Sequence, residues 1–389
     1  MMSKSSKTTL HISDRTSTRD LLRADEVRIL TFPRDHGRHS EYRTEWWYLS
    51  GQLRSEDGSE WGYQFTIFRR ALERWRDLAV LSLGTCSRSI RRLKTFQRSV
   101  AEMLERQNCR RINVDGYVGH LAITNIKERR FVFFQSGGSS LFNIAHARDD
   151  CLSVRLKSWI LEEDSGSIRA IAERQGSAIA LNLVPLKPPV VHGLNGLARK
   201  GQDAGQASYH YSLTSLETSG TLKWRGTELR VTGTSWMDRE FGTSMFPKSL
   251  RGWDWFGLTF DNKVEIMLSL IRELDGTISR TSTGTLIRPD GTSRLLGFDD
   301  FHVAITDQWE SPLTGACYPV QWTVAVNSID SRFTIRARIR EHELISGTST
   351  TINYWEGPVD ISGTMDDRAV TGRGHVELVG YCEPAGGKF

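Results

Sequence analysis

Large apolar side chains recur at every second position along most of this chain, and that periodicity restricts it to β-structure. In Trp61-Gly62-Tyr63-Gln64-Phe65-Thr66-Ile67 the bulky residues share one face, while Gln64 and Thr66 take the other. Upstream, Glu45 to Leu53 reads as the hairpin partner of this strand, with Ser55 to Gly58 as the turn. Val264, Ile266, Leu268 and Leu270 repeat the pattern. Asp57-Gly58, Asp115-Gly116, Asp275-Gly276 and Asp290-Gly291 read as turns between apolar stretches. Many short strands joined in this way imply sandwiches or antiparallel barrels, an all-β chain.

One segment departs from the pattern. Ile90, Leu93, Phe96, Val100, Met103 and Leu104 fall at helical spacing and predict a helical insertion over about 88–108. It reads as a buttress for a barrel, with a lid or a dimerisation face as alternatives. At 389 residues the chain is long for one domain. The stretch from Lys187 to Gln206 is rich in Gly, Pro and Lys and reads as a long connecting loop. The expected division is a disordered arm over 1–25, one domain over 26–218 and a second over 219–389.

Composition narrows the function classes. Hydrophobic residues at 38% and charged residues at 25% describe a globular chain. No apolar run approaches the roughly 18–20 residues that span a bilayer. The Ser-, Thr-, Lys- and Arg-rich start lacks the apolar core of a secretory signal. The five cysteines are scattered and none forms a C-x-x-C pair, so reduced thiols in a cytoplasmic protein are expected. A net charge of +5 is modest, and the arginines of 88–111 carry no nucleic-acid-binding motif. An anionic small ligand is the better use of a mild positive bias. Neither a Gly-rich dinucleotide loop nor clustered metal ligands are visible, so no cofactor and no metal are expected.

A longer set of motifs carries a family resemblance. Phe32-Pro33-Arg34-Asp35-His36-Gly37 is followed by Tyr42-Arg43-Thr44-Glu45-Trp46-Trp47-Tyr48 and then by Gly62 to Arg69. Gly119 to Thr124, Lys200-Gly201 with Ser208-Tyr209, Trp236 to Gly242 and Gly252 to Phe256 continue the series. Tyr354-Trp355-Glu356-Gly357 and Gly374 through Tyr381 close it. In this order they resemble the AttH/CrtC-like proteins, across nearly the whole chain after residue 30. The resemblance implies two lipocalin-like antiparallel β-barrel domains packed together, with a ligand cavity in or between them. That family includes carotenoid and isoflavonoid hydratases, decalin-forming Diels–Alderases and exported lipoproteins, so it does not fix the reaction.

A closed barrel is expected to enclose a dry pocket that binds a hydrophobic polyene, polyketide or terpenoid with a carbonyl or acidic head group. Glu240, Asp254, Arg239 and Glu45 are the candidates for catalysis; a structural salt-bridge network is their alternative reading. Trp46, Trp47, Phe241, Trp253 and Trp255 are candidate apolar contacts, or core. Gln64, His120, Tyr209, Tyr354 and Glu356 are candidate polar contacts. Hydratase-type members tend to carry a histidine and a tryptophan where this chain has Arg239 and Phe241. Arg239 holds its proton too tightly to act as a general acid, which favours cyclisation or isomerisation over hydration. Hydration and ligand carriage without chemistry are the alternatives, followed by an assembly role; a monomer or homodimer is expected.

Overall fold

The computed structural model describes residues 21–72, 114–243, 246–346 and 352–386. The segment expected to be helical over about 88–108 lies outside the described residues, as does most of the expected N-terminal arm.

The strands form two antiparallel sheets. The first opens with the hairpin β1 (Thr44–Ser55) and β2 (Glu60–Leu72), followed by β3 (Val114–Asn125) and β4 (Arg130–Ser139). It continues through β5 (Ala145–Ala147), β6 (Ser153–Leu156), β7 (Trp159–Asp164), β8 (Ser167–Arg174) and β9 (Ser177–Pro185). The short β10 (Val190–Val191) and β11 (Leu197–Arg199) precede the long hairpin β12 (Ala207–Trp224) and β13 (Thr227–Gly242). The second sheet takes β14 (Leu250–Phe260), β15 (Glu265–Glu273), β16 (Thr283–Ile287), β17 (Ser293–Leu296) and β18 (Phe301–Glu310). It ends with β19 (Cys317–Val326), β20 (Ser331–Ala337), β21 (Glu343–Leu344), β22 (Tyr354–Met365) and β23 (Arg368–Val379).

In the first sheet β13 closes onto β1, and β3 and β4 come round against β5 and β6, so the sheet is a nearly closed barrel. The second, ordered β17-β16-β15-β14-β23-β22-β20-β19-β18, is a half-barrel. Together they form the expected all-β pair of lipocalin-like units. Each carries its own packed core. Trp47, Leu49, Phe65, Ile67, Leu121 and Trp159 belong to the first, and Phe256, Leu268, Trp322, Trp355 and Leu378 to the second.

Several local readings need correction. Asp115-Gly116 is not a turn but lies within β3, where Asp115 is buried and accepts a hydrogen bond from Arg69. The other three Asp-Gly pairs are turns, with their glycines at φ 80°, 89° and 85° in the left-handed region that favours glycine. The Lys187–Gln206 stretch does not connect two domains. Its short strands β10 and β11 both pair with β12, so it folds back on the first sheet. The sheets change over between Gly242 and Leu250, not near residue 218, because β13 completes the first sheet by pairing with both β1 and β12.

Candidate active site between the two sheets

The inner faces of both units are filled by their cores, and of the two expected positions for a cavity, within a barrel or between the units, it is the second that is found. Strands β1, β2, β12 and β13 present their second face to β14, β15, β22 and β23. Period-two alternation therefore places Trp46 and Tyr48 toward the cavity while Trp47 and Leu49 fill the core. The same alternation turns Gln64, Thr66 and Phe68 inward from β2, and Asp238 and Glu240 inward from β13. From the other sheet come Trp253 and Trp255, Ser269 and Ile271, Tyr354 and Glu356, and Glu377 and Val379. Between these walls lies a cavity of about 70 Å³, inside about 930 Å³ of non-atom space that includes open solvent at its mouth.

Direct bonds hold the two walls in register. Tyr48 donates to Glu356 Oε1 at 2.7 Å, and His120 Nδ1 is 2.8 Å from the Tyr354 hydroxyl. Gln52 donates to the backbone carbonyls of Val359 and Gly374 at 3.2 and 2.8 Å. Thr124 and His342 meet at 2.7 Å, and His192 reaches Thr285 at 2.8 Å.

The cavity is rich in acids with contrasting environments. Glu240 lies 3.0 Å from Lys200, and Asp238 lies 3.2 Å from His210 Nε2. Burial works to raise both carboxyls, but Lys200 and His210 beside Glu240, and His210 beside Asp238, pull them below the ordinary value. The opposite wall behaves in the reverse way. Glu356 and Glu377 stand directly across from each other on β22 and β23. Burial, the like charge of Glu377 and a hydrogen bond from Tyr48 act on Glu356, and the first two hold it well above the usual carboxylate range. Burial pushes Glu377 up to about 7. Oε2 of Glu356 is enclosed and has no hydrogen-bond partner, and the Trp255 indole N–H is likewise unpartnered. His120 is pushed down to about 3 by burial and is neutral.

This placement has a measurable consequence for stability. Glu377 ionises near pH 4.5 when unfolded but near 7 when folded. The unfolded chain therefore loses this proton first, and stability falls as pH rises from about 4.5 to about 7. Glu377→Gln is expected to raise stability at pH 8 by about 1–3 kcal/mol, with the difference vanishing near pH 4. Denaturant unfolding at both pH values measures it; equal or lower stability at pH 8 would refute the neutral-acid environment.

The sequence-derived candidates divide sharply. Trp46, Gln64, His120, Glu240, Trp253, Trp255, Tyr354 and Glu356 line the cavity. Glu45, Arg239 and Asp254 lie behind its walls. Arg239 donates to Glu45, Arg69 donates to the other oxygen of Glu45 at 3.0 Å, and the Arg239 guanidinium sits 3.9 Å above the Trp47 ring. Asp254 accepts from Arg272 and from the Tyr381 hydroxyl, both at 2.9 Å. Trp47 donates to the His36 carbonyl, Phe241 stacks on His39 at 3.5 Å, and Tyr209 donates to the Glu26 carbonyl. These six are held by protein partners.

Sequence reasoning passed over Glu377, Tyr48, Lys200 and His210 as site residues. The available signal was a charged residue between Val376 and Leu378 in an apolar strand. The expectation of no clustered metal ligands also needs revision: His192, His210 and Asp238 are buried with ligand atoms within 4.8 Å of one another. Both ring nitrogens of His192 already meet hydroxyls, Thr285 at 2.8 Å and Ser212 at 2.6 Å, and Asp238 Oδ1 accepts from Trp236 at 2.6 Å. The cluster is thus engaged as a hydrogen-bond network. Among the described residues no helix is long and apolar enough to cross a membrane.

Comparison with known proteins places this architecture. No curated protein sequence matches the chain. A protein described as AttH from Nitrosomonas europaea superposes with TM-score 0.76 at 29% identity, covering 93% of this chain and 100% of that one. Kievitone hydratase from Nectria haematococca has the same fold, with TM-score 0.65 at 15% identity over 92% of this chain and 95% of its own. CghA is more distant, with TM-score 0.51 at 11% identity over 88% and 89%. The AttH-like family model matches residues 23–81 and 92–381, and the chain belongs to the AttH-like family.

Proposed function

We propose that this protein is a cofactor-independent enzyme that adds water across a carbon–carbon double bond of a hydrophobic small molecule. The observation that carries this reading is the unpartnered Oε2 of a neutral, buried Glu356 on the wall of an aromatic cavity. A carboxylic acid that keeps its proton at neutral pH is what protonation of an alkene needs.

The steps follow from the two walls. Glu356, fixed by Tyr48, passes its proton to one alkene carbon, leaving a carbocation on the other. The faces of Trp46, Trp253 and Trp255 and the carboxylate left behind stabilise that charge. Water then forms the new C–O bond, and its surplus proton goes to an ionised carboxylate on the opposite wall, Asp238 or Glu240. Proton return to Glu356 through solvent completes the cycle. The presence of a hydratase among proteins of this fold is consistent with the reading, as is the family resemblance.

Neither Arg239 nor Phe241 lines the cavity, so neither side chain favours cyclisation over hydration. Cyclisation keeps a separate support in the aromatic and aliphatic side chains of the walls, among them Trp46, Phe68, Trp253 and Trp255, which can exclude water and present an internal double bond to the same cation. The two branch only at the nucleophile. Incubating the protein with prenylated and isoprenoid alkenes in ¹⁸O-water separates them by mass: hydration yields a product with one labelled oxygen, cyclisation an unlabelled isomer. Ligand bound tightly but recovered unchanged across the panel would overturn both and leave a carrier.

A further inference from the structure

We propose that the cavity takes a hydrophobic organic cation, a protonated tertiary amine on an apolar body, in preference to a neutral or acidic ligand of the same shape. This rests on the pocket described above as the ligand site, but not on the reaction assigned to it.

The reason is a missing counter-charge. The register puts Glu356 and Glu377 opposite each other on neighbouring strands, an arrangement that is destabilising when both are charged. Every other acid around the cavity has a basic partner. Lys200 is committed to Glu240 at 3.0 Å, His210 lies 3.2 Å from Asp238, and behind the wall Arg272 is committed to Asp254 at 2.9 Å. Among the described residues, neither Glu356 nor Glu377 has an ion-pair partner; their hydrogen-bond contacts are with Tyr48 at 2.7 Å and the Trp253 indole at 3.5 Å. The remaining titratable groups that line the cavity supply no cation there: His120 is neutral by burial and the Tyr354 hydroxyl stays protonated.

Aromatic rings complete the other side. Trp255 meets Tyr48 at 5.4 Å and Phe246 meets Trp253 at 5.1 Å in T-shaped contacts, and these four rings line the same cavity as the two acids. Carboxyls without a counter-ion beside aromatic faces form a recognition site for an ammonium head group. Such a ligand takes the place of the proton that the acid pair otherwise retains. It also shares its charge and position with a carbocation formed at the same spot.

Three ligands with one ten-carbon chain test this: geranyldimethylamine, geraniol and geranic acid, titrated by calorimetry near neutral pH. The amine is expected to bind about tenfold more tightly than the alcohol, and the acid most weakly. Amine affinity is expected to rise with pH through about 7, with a proton released to buffer on binding. In the Glu356→Gln/Glu377→Gln double variant the amine preference should disappear while geraniol still binds. Geranic acid binding as tightly as the amine would overturn the proposal. So would a preference that survives in the double variant, or no binding of any of the three. The pH dependence in the native protein decides the matter if the double variant does not fold. Hydration without an amine preference would remove this inference and leave the proton-transfer reading standing.

Discussion

Glu356→Gln is expected to lower turnover by about 10²–10⁴-fold, the usual contribution of a positioned general acid, while the chain folds as before. The amide has the shape of the acid and can still accept from Tyr48, but it has no proton to give. If Glu356 acted only through packing, this near-isosteric change would leave kcat within a few-fold of the native value. The predicted signature is a fall in kcat with little change in KM, because the apolar walls that bind the ligand are untouched. With Glu356 as proton donor, activity of the native protein is expected to fall as pH rises through the range where the Glu356–Glu377 pair gives up its proton, with Glu377 at about 7. Steady-state kinetics on an alkene that shows solvent-oxygen incorporation make the comparison. Unchanged kcat in the variant would end the assignment of Glu356 as proton donor.

Glu45→Ala is expected to cost about 3–5 kcal/mol of stability, the scale for stripping one partner from a buried ion pair. Glu45 is fully enclosed and bonded to two guanidiniums, those of Arg69 and Arg239, which are themselves fully buried. Burial alone would raise its pKa, but the two arginines and His39 hold it well below the usual carboxylate range. Truncation leaves Arg239 with backbone carbonyls and no counter-ion. The double variant Glu45→Leu/Arg239→Met should recover much of the loss, since an apolar pair of similar volume removes both desolvation penalties. Urea unfolding of the single and double variants gives the coupling energy. A loss below about 1 kcal/mol in the single variant would show that the network contributes little.

The two variants separate residues that look alike in the sequence. Glu45 and Glu356 each stand beside a tryptophan in a strand, and nothing local distinguishes them. Glu45 points to a guanidinium supplied by β13 and another from β2, whereas Glu356 points into a space bounded by the other sheet. Arg239, Glu240 and Phe241 are neighbours in one strand, yet only Glu240 reaches the cavity. Alternation separated Glu240 from the other two. It could not say which side was open.

By itself the sequence determined the all-β class, the first hairpin with its register of alternating faces, the family, and eight of the residues now found around the cavity. These follow from interactions local to a strand or a turn, or from ordered motifs. Where the first sheet ended was misread, because the pairing of β10 and β11 with β12 joins segments whose composition suggests a linker. The location of the cavity, the opposition of Glu356 to Glu377 and the enclosure of Glu45 were decided only by tertiary structure. The physical reason is that β1 to β3 and the second half of β13 are buried on both faces, one by a core and one by the other sheet. A period of two assigns side chains to faces, but only the docking of the second sheet tells a core from a site.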